Sequence, residues 1–243
     1  MPTAKSQRIA LVTGADTGPG RAVVATLRAE GLTVLEHCLH MGSGDFSVDL
    51  LDESVLDEMM ATIRCSHGRL DVLVACHARP APCAVLAGDS EAFWRQIDGM
   101  LTASFLLVRA AAGLLATSGQ GRIVLLSSGW AAGAKQLAGL AAASAGIDLL
   151  TRTLAQELGP RGITVNAVAP AFMDDEDWLA CDAAALDLTV AGLRAGQGDI
   201  VPAGKLGSWR ALSELVSLLC QPGLGAAIGQ TVHCSGGYFR HRV

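Results

Sequence analysis

At 243 residues, with 51% hydrophobic and 17% charged side chains, the chain is long enough to bury one full core and too apolar to remain disordered. A formal net charge of -5 without any dense Lys/Arg cluster argues against nucleic acid or an anionic membrane surface as the main partner. Seven dispersed cysteines, odd in number and never spaced Cys-x-x-Cys, argue against a disulfide framework or a zinc site.

Taken in chain order, short runs rich in Val, Ile and Leu alternate with longer helical stretches, which is the pattern of a parallel sheet covered on both faces. Residues 9–13 predict the first strand, a glycine-rich turn follows, and residues 20–30 predict a helix. A second strand spans 33–38, a short third one lies near 46–48, and the few residues between them leave no room for a normal crossover helix, which takes about a dozen residues. Helix 52–64, strand 70–76, helix 90–115, strand 122–127, helix 137–158 and strand 163–169 come next. Residues 174–201 carry no clean period and read as a mobile excursion on one rim. Helix 208–219, with Ser208 as N-cap, and strand 230–234 complete the chain. The expectation is one domain over 1–243, an α/β doubly wound Rossmann fold with about seven parallel strands flanked by helices. No uncharged apolar stretch reaches the roughly 18 residues of a membrane helix, so a soluble cytoplasmic protein is expected.

The turn Thr13-Gly14-Ala15-Asp16-Thr17-Gly18-Pro19-Gly20 leaves a strand and opens a helix, the place where backbone N–H groups and a helix dipole can seat a pyrophosphate. Glycines at 14, 18 and 20 would equally serve a tight strand-to-helix turn with positive φ and close packing.

That loop, Asp49, Leu70-Asp71-Val72-Leu73-Val74, Arg122 to Ser128, Gly162 to Pro170 and Gly229 to Val232 with Ser235-Gly236-Gly237 together resemble the short-chain dehydrogenase/reductase superfamily over nearly the whole chain. The resemblance implies cofactor contacts from Gly14, Gly18, Gly20 and Asp49. It also implies NAD(H) rather than NADP(H), because no Lys or Arg stands near Cys38, where the family places an acidic ribose-binding residue or a basic one for the 2′-phosphate. Pro19 brings no N–H to the phosphate turn, and Glu36 sits deeper in the strand than the ribose position. These departures weaken the seat.

Family members that move hydride use a tyrosine acid, a lysine that lowers its pKa, a carbonyl-orienting serine and a relay asparagine. By the same resemblance, Leu140 stands at the tyrosine position, Ser144 at the lysine position and Met100 near the asparagine position. Ser128, or Ser127 by spacing, keeps the serine. Nothing nearby replaces them: the single tyrosine, Tyr238, sits in the C-terminal turn as a packing aromatic, and Asn166, the one asparagine, belongs to a strand motif. Ala75-Cys76-His77-Ala78 stands where the family reads Asn-Asn-Ala-Gly. Other chemistry would have to use His77, Cys76, Lys135 or Ser128. A histidine without an identifiable partner is more often structural, Lys135 reads as a surface charge, Cys76 as a small buried hydrophobe, and a strand-end serine as a loop cap.

The residues therefore point to a non-catalytic or auxiliary subunit of an NAD-dependent short-chain alcohol dehydrogenase of the hydroxyacyl type. It would form a homo- or hetero-oligomer, dimer or tetramer, with a catalytically complete paralogue, through helices 90–115 and 137–158. Two alternatives stand beside it. An atypical enzyme on the same fold would resemble the halohydrin dehalogenases in the lost crossover helix and in residues 170–178. A regulatory protein would sense NAD(H) through the remaining loop.

Overall fold

The computed structural model describes residues 7–40, 42–86 and 88–239. Six parallel strands make one sheet: β1 (Ile9–Thr13), β2 (Thr33–His37), β3 (Val72–Ala75), β4 (Arg122–Leu126), β5 (Thr164–Pro170) and β6 (Thr231–Cys234), in the order β2-β1-β3-β4-β5-β6. Chain order reverses between β1 and β3, so the loops at their carboxyl ends frame the crevice where doubly wound sheets bind ligands. The residues of β1, β3, β4 and β5 are buried throughout, as strands covered on both faces must be.

Helices α1 (Gly18–Ala29), α2 (Glu53–His67), α3 (Ser90–Gln96), α4 (Ala103–Thr117), α5 (Ala138–Leu158), α6 (Glu176–Ala185), α7 (Val190–Ile200) and α8 (Trp209–Leu219) complete the fold. The expected α/β doubly wound domain is present, with three corrections. Among the described residues there is no seventh strand: residues 46–48 contribute only an isolated bridge between His37 and Phe46, because a connection this short cannot carry a partner strand around the edge. The predicted helix at 90–115 is one continuous rod interrupted by a π-helical turn at Ile97–Thr102. The rim segment is ordered into α6 and α7, capped by Asp175 and Thr189, whose side chains accept from the N–H of Trp178 and Gly192. Its period was obscured because the two short helices bury different faces around a turn with Asp187 at positive φ.

No helix forms among the described residues between β2 and α2, as the short spacing predicts. Ser208 caps α8, its hydroxyl accepting from Ala211 N–H at 3.3 Å. The rod Ser90–Thr117 is the one helix among the described residues long and apolar enough to cross a membrane by length and composition. Half of its most apolar stretch is buried inside this domain, where Leu107, Ala111 and Leu114 pack in the core.

Candidate functional site

The glycine turn forms because each glycine meets a neighbour that a side chain would strike. A Cβ on Gly14, which sits at φ +65°, would lie 2.5 Å from the Cys76 carbonyl, and one on Gly20 would lie 1.9 Å from the Gly14 carbonyl. Thr17 caps α1 by accepting from Gly20 N–H at 3.1 Å and donating to the Gly14 carbonyl at 2.7 Å. Gly18 is different. The space beside it is taken by the first residue of α8 and by the cap of α6: a Cβ there would lie 2.5 Å from Trp209 Nε1 and 2.6 Å from Asp175 Oδ2. Trp209 Nε1 donates to Asp175 Oδ2 at 2.8 Å, and its ring meets Trp178 edge-on at 5.5 Å between centroids.

A cleft of about 300 Å³ remains beside the turn, and its walls include three carboxylates, Asp16, Asp175 and Asp177, with Arg21, Arg79 and His40. Asp16 takes up the backbone donors that follow β2, accepting from Leu39 N–H at 2.9 Å and His40 N–H at 3.2 Å, and it pairs with the His40 ring. Partial burial raises its pKa, but these hydrogen bonds outweigh that and hold it below the usual carboxylate range. At the end of β2, Cys38 is buried and Glu36 turns away to Arg28 at 2.5 Å. Asp49 lies further along the crevice, where its Oδ1 accepts from Leu51 N–H at 2.9 Å.

Past β4, Ser128 is fully buried and caps the 3-10 turn Gly129–Ala132, accepting from Trp130 N–H at 3.2 Å. Ser127 donates to Asp148 Oδ1 at 2.8 Å. Leu140 and Ser144 share the inner face of α5, each at 0% exposure, and the Ser144 hydroxyl has no hydrogen-bond partner among the described residues. Access from the far side is closed by an aromatic cluster of Trp130, Phe172, Tyr238 and Phe239; Phe239 lies close enough to Gly129 that a Cβ there would be 2.4 Å from its ring. Tyr238 thus packs, 4.6 Å from Phe172 between ring centroids. Asn166 ties β5 to the approach of β6, donating to the Ala227 carbonyl at 2.8 Å and accepting from Gln230 N–H at 3.0 Å.

The remaining candidates are held in structural roles. His77 is buried, with Nδ1 sharing a hydrogen bond with Thr13 Oγ1 at 2.7 Å and Nε2 one with Ser104 Oγ at 3.4 Å. Burial first, and then the nearby His37, lower its pKa to about 3, so it is neutral and a poor base at pH 7. Burial pushes the Cys76 thiol up to about 12, which removes it as a nucleophile. Lys135 is exposed and pairs with Asp187 at 2.5 Å. Among the described residues no group of three or more His, Cys, Asp or Glu could hold a metal ion.

Sequence reasoning missed Asp175 and Asp182. Asp182, on α6, is 1% exposed; it accepts from Trp130 Nε1 and from Phe172 N–H, both at 2.6 Å, and so locks the rim to the loop after β4. Burial raises its pKa to about 6 against those two hydrogen bonds. Phe172, at φ +54°, is held in a backbone region that a bulky residue seldom adopts. An acidic run opening the rim segment was visible in the sequence, but not which carboxylate turns inward.

A doubly wound sheet with a glycine turn at its switch point defines a nucleotide-crevice protein of the Rossmann class. Comparison narrows this. Residues 15–239 match the family model described as enoyl-(acyl carrier protein) reductase. The 3-oxoacyl-acyl-carrier-protein reductase FabG of Escherichia coli is 30% identical over 249 aligned residues, covering 96% of this chain and 97% of that one. The short-chain reductase protein NovJ of Streptomyces niveus is 31% identical, covering 95% and 94%. The structure of an NAD+-bound xylitol dehydrogenase superposes with a TM-score of 0.86 at 22% identity, over 96% of this chain and all of that one, a likeness of fold. The chain belongs to the short-chain dehydrogenase/reductase family.

A dinucleotide is the cofactor this family implies, and the residues at the turn do not fit its pyrophosphate. Where backbone N–H groups should face two phosphates, Pro19 has none to give, Gly18 is covered by Trp209, and Asp175 presents a carboxylate. Bringing a second anion against it in a partly buried cleft is repulsive.

Proposed function

We propose that this chain is a non-catalytic member of its oxidoreductase family, working in the cytoplasm as the structural subunit of a hetero-oligomer with a catalytically complete relative that reduces or oxidises hydroxyacyl-type substrates. One observation carries the reading: Leu140 and Ser144, at the positions of the family's proton donor and its lysine, are both at 0% exposure in a packed core. Leucine holds no transferable proton, and Ser128 is itself fully buried. His77, neutral and doubly hydrogen-bonded, supplies no substitute acid.

Two further features support assembly. Phe105 on α4 and Leu149 on α5 are 43% and 62% exposed, large apolar side chains on the helices through which family dimers pair. The sheet and its core stay intact, as selection for an assembly surface would keep them. Native mass spectrometry of the tagged chain recovered from its source cells tests the reading. A complex with a relative that retains tyrosine and lysine is the expected result; recovery solely as a homo-oligomer that turns over a hydroxyacyl substrate would overturn it.

A further inference from the structure

Between α5, the 3-10 turn after β4 and the end of β6 lies a cavity of about 310 Å³, at the lower end of the range of small-molecule sites. It shares no lining residue with the nucleotide crevice or with the cleft beside the glycine turn. Its lining is made of small residues, Gly129, Ala131 and Ala132 from the turn and Ala145 from α5, with Leu149 and Phe239 as larger apolar groups. Glycine at 129 is what admits Phe239, whose ring a Cβ there would meet at 2.4 Å.

Two polar side chains line it, Asp148 and His233. Asp148 is half-buried and held from one side: its Oδ1 accepts from Ser127 Oγ at 2.8 Å and from Thr231 Oγ1 at 3.2 Å, so the end of β4 and the start of β6 fix the carboxyl group together. Its Oδ2 receives no donor among the described residues, and no Arg, Lys or His pairs with it there. Arg152, one turn further along α5, is exposed and makes no ion pair with it. A carboxylate half removed from water beside apolar walls is costly until a cation answers it. A metal ion does not suit the place, because Ca2+ and Mg2+ demand several oxygen ligands and only one carboxylate is present.

We infer that this cavity binds a primary organic ammonium ion with a compact apolar body, its N–H groups donating to Asp148 Oδ2 and its body resting on the glycine and alanines beside Leu149 and Phe239. The charge-assisted hydrogen bond selects the ammonium over a neutral alcohol of the same shape. An aromatic wall favours the cation further through the negative face of its ring. The missing side chains at Gly129, Ala131, Ala132 and Ala145 leave the room that the body fills. This binding goes beyond the proposed function and does not rest on it: Leu149 borders the assembly surface as well, but one chain supplies every wall of the cavity.

Three matched probes test it on the purified full-length chain by titration calorimetry at neutral pH: benzylammonium, neutral benzyl alcohol and anionic benzoate. Benzylammonium should bind at least tenfold more tightly than benzyl alcohol, and benzoate should not bind. Asp148→Asn keeps an oxygen to accept from Ser127 and Thr231 but removes the charge, and should weaken benzylammonium at least tenfold while the urea midpoint shows that the fold is kept. Ala132→Phe, at an exposed position on the cavity wall, should abolish binding by filling the space, and decides alone if the Asp148 variant does not fold. Failure of benzylammonium to bind, equal binding of benzyl alcohol, or a folded variant that binds as before would each overturn the inference. Native mass spectrometry bears on assembly alone, so the failure of either reading leaves the other to its own test.

Discussion

Ser144 is a hydroxyl in the centre of a helix face where nothing answers it. A buried polar group without a partner costs about 1–3 kcal/mol, and Ser144 Oγ has none among the described residues. If the position is a relic of a lysine that once reached into a nucleotide site, nothing should be lost by removing the hydroxyl. Ser144→Ala is expected to raise stability by about 1 kcal/mol in urea denaturation. A loss of stability would instead show that the hydroxyl has a task.

At the scale of elements, α6 is held down by a buried carboxylate. Asp182 has its pKa raised to about 6, above the ordinary value of 3.8, so the folded state binds its proton more tightly than the unfolded chain does. The stability it contributes is fully present below pH 3.8 and is lost as pH rises through about 6; two units correspond to about 3 kcal/mol. His77 acts in the opposite direction, because its pKa falls from 6.5 to about 3 and its contribution is lost as pH drops through that window. The two oppose each other between pH 6 and 4. Asp182→Asn should therefore lose stability steadily on acidification from pH 6.5 to 4, by about 1.4 kcal/mol per unit, while the unaltered chain changes far less. Equal slopes for the two proteins in pH-dependent urea melts would refute the assignment.

For the whole molecule, the two features behind the proposed reading, Leu140 on α5 and the cover of Gly18 by Trp209 and Asp175, arise from different elements, α5 on one side and α6 with α8 on the other. Undoing one should leave the other in place. Leu140→Tyr with Ser144→Lys places two larger side chains in a space that is already filled, at a cost of about 1–3 kcal/mol from overpacking. The doubly substituted chain should show no nicotinamide-dependent turnover, followed by absorbance, because Asp175 and Trp209 still cover Gly18. Turnover in that variant would show that the rim opens in solution.

Much of this protein was legible in its sequence, for reasons that lie in local chemistry. The alternation of Val-rich runs with helical spacing determined the doubly wound sheet, and glycines at 14 and 20 marked a turn that only glycine can make. The expectation that Leu140 and Ser144 stand at the family's tyrosine and lysine positions rests on one-dimensional spacing and carries the proposed function. The edge of the sheet was misread at residues 46–48, because strand formation there depends on a partner's reach and not on composition. The two helices of the rim were missed because their burial faces the folded core rather than one regular stripe. Asp175 against Gly18, Asp182 between Trp130 and Phe172, and Asp148 between Ser127 and Thr231 are contacts across the fold, and only tertiary structure decided them: which carboxylate turns inward depends on packing between segments distant in the chain, a property that no local pattern of residues encodes.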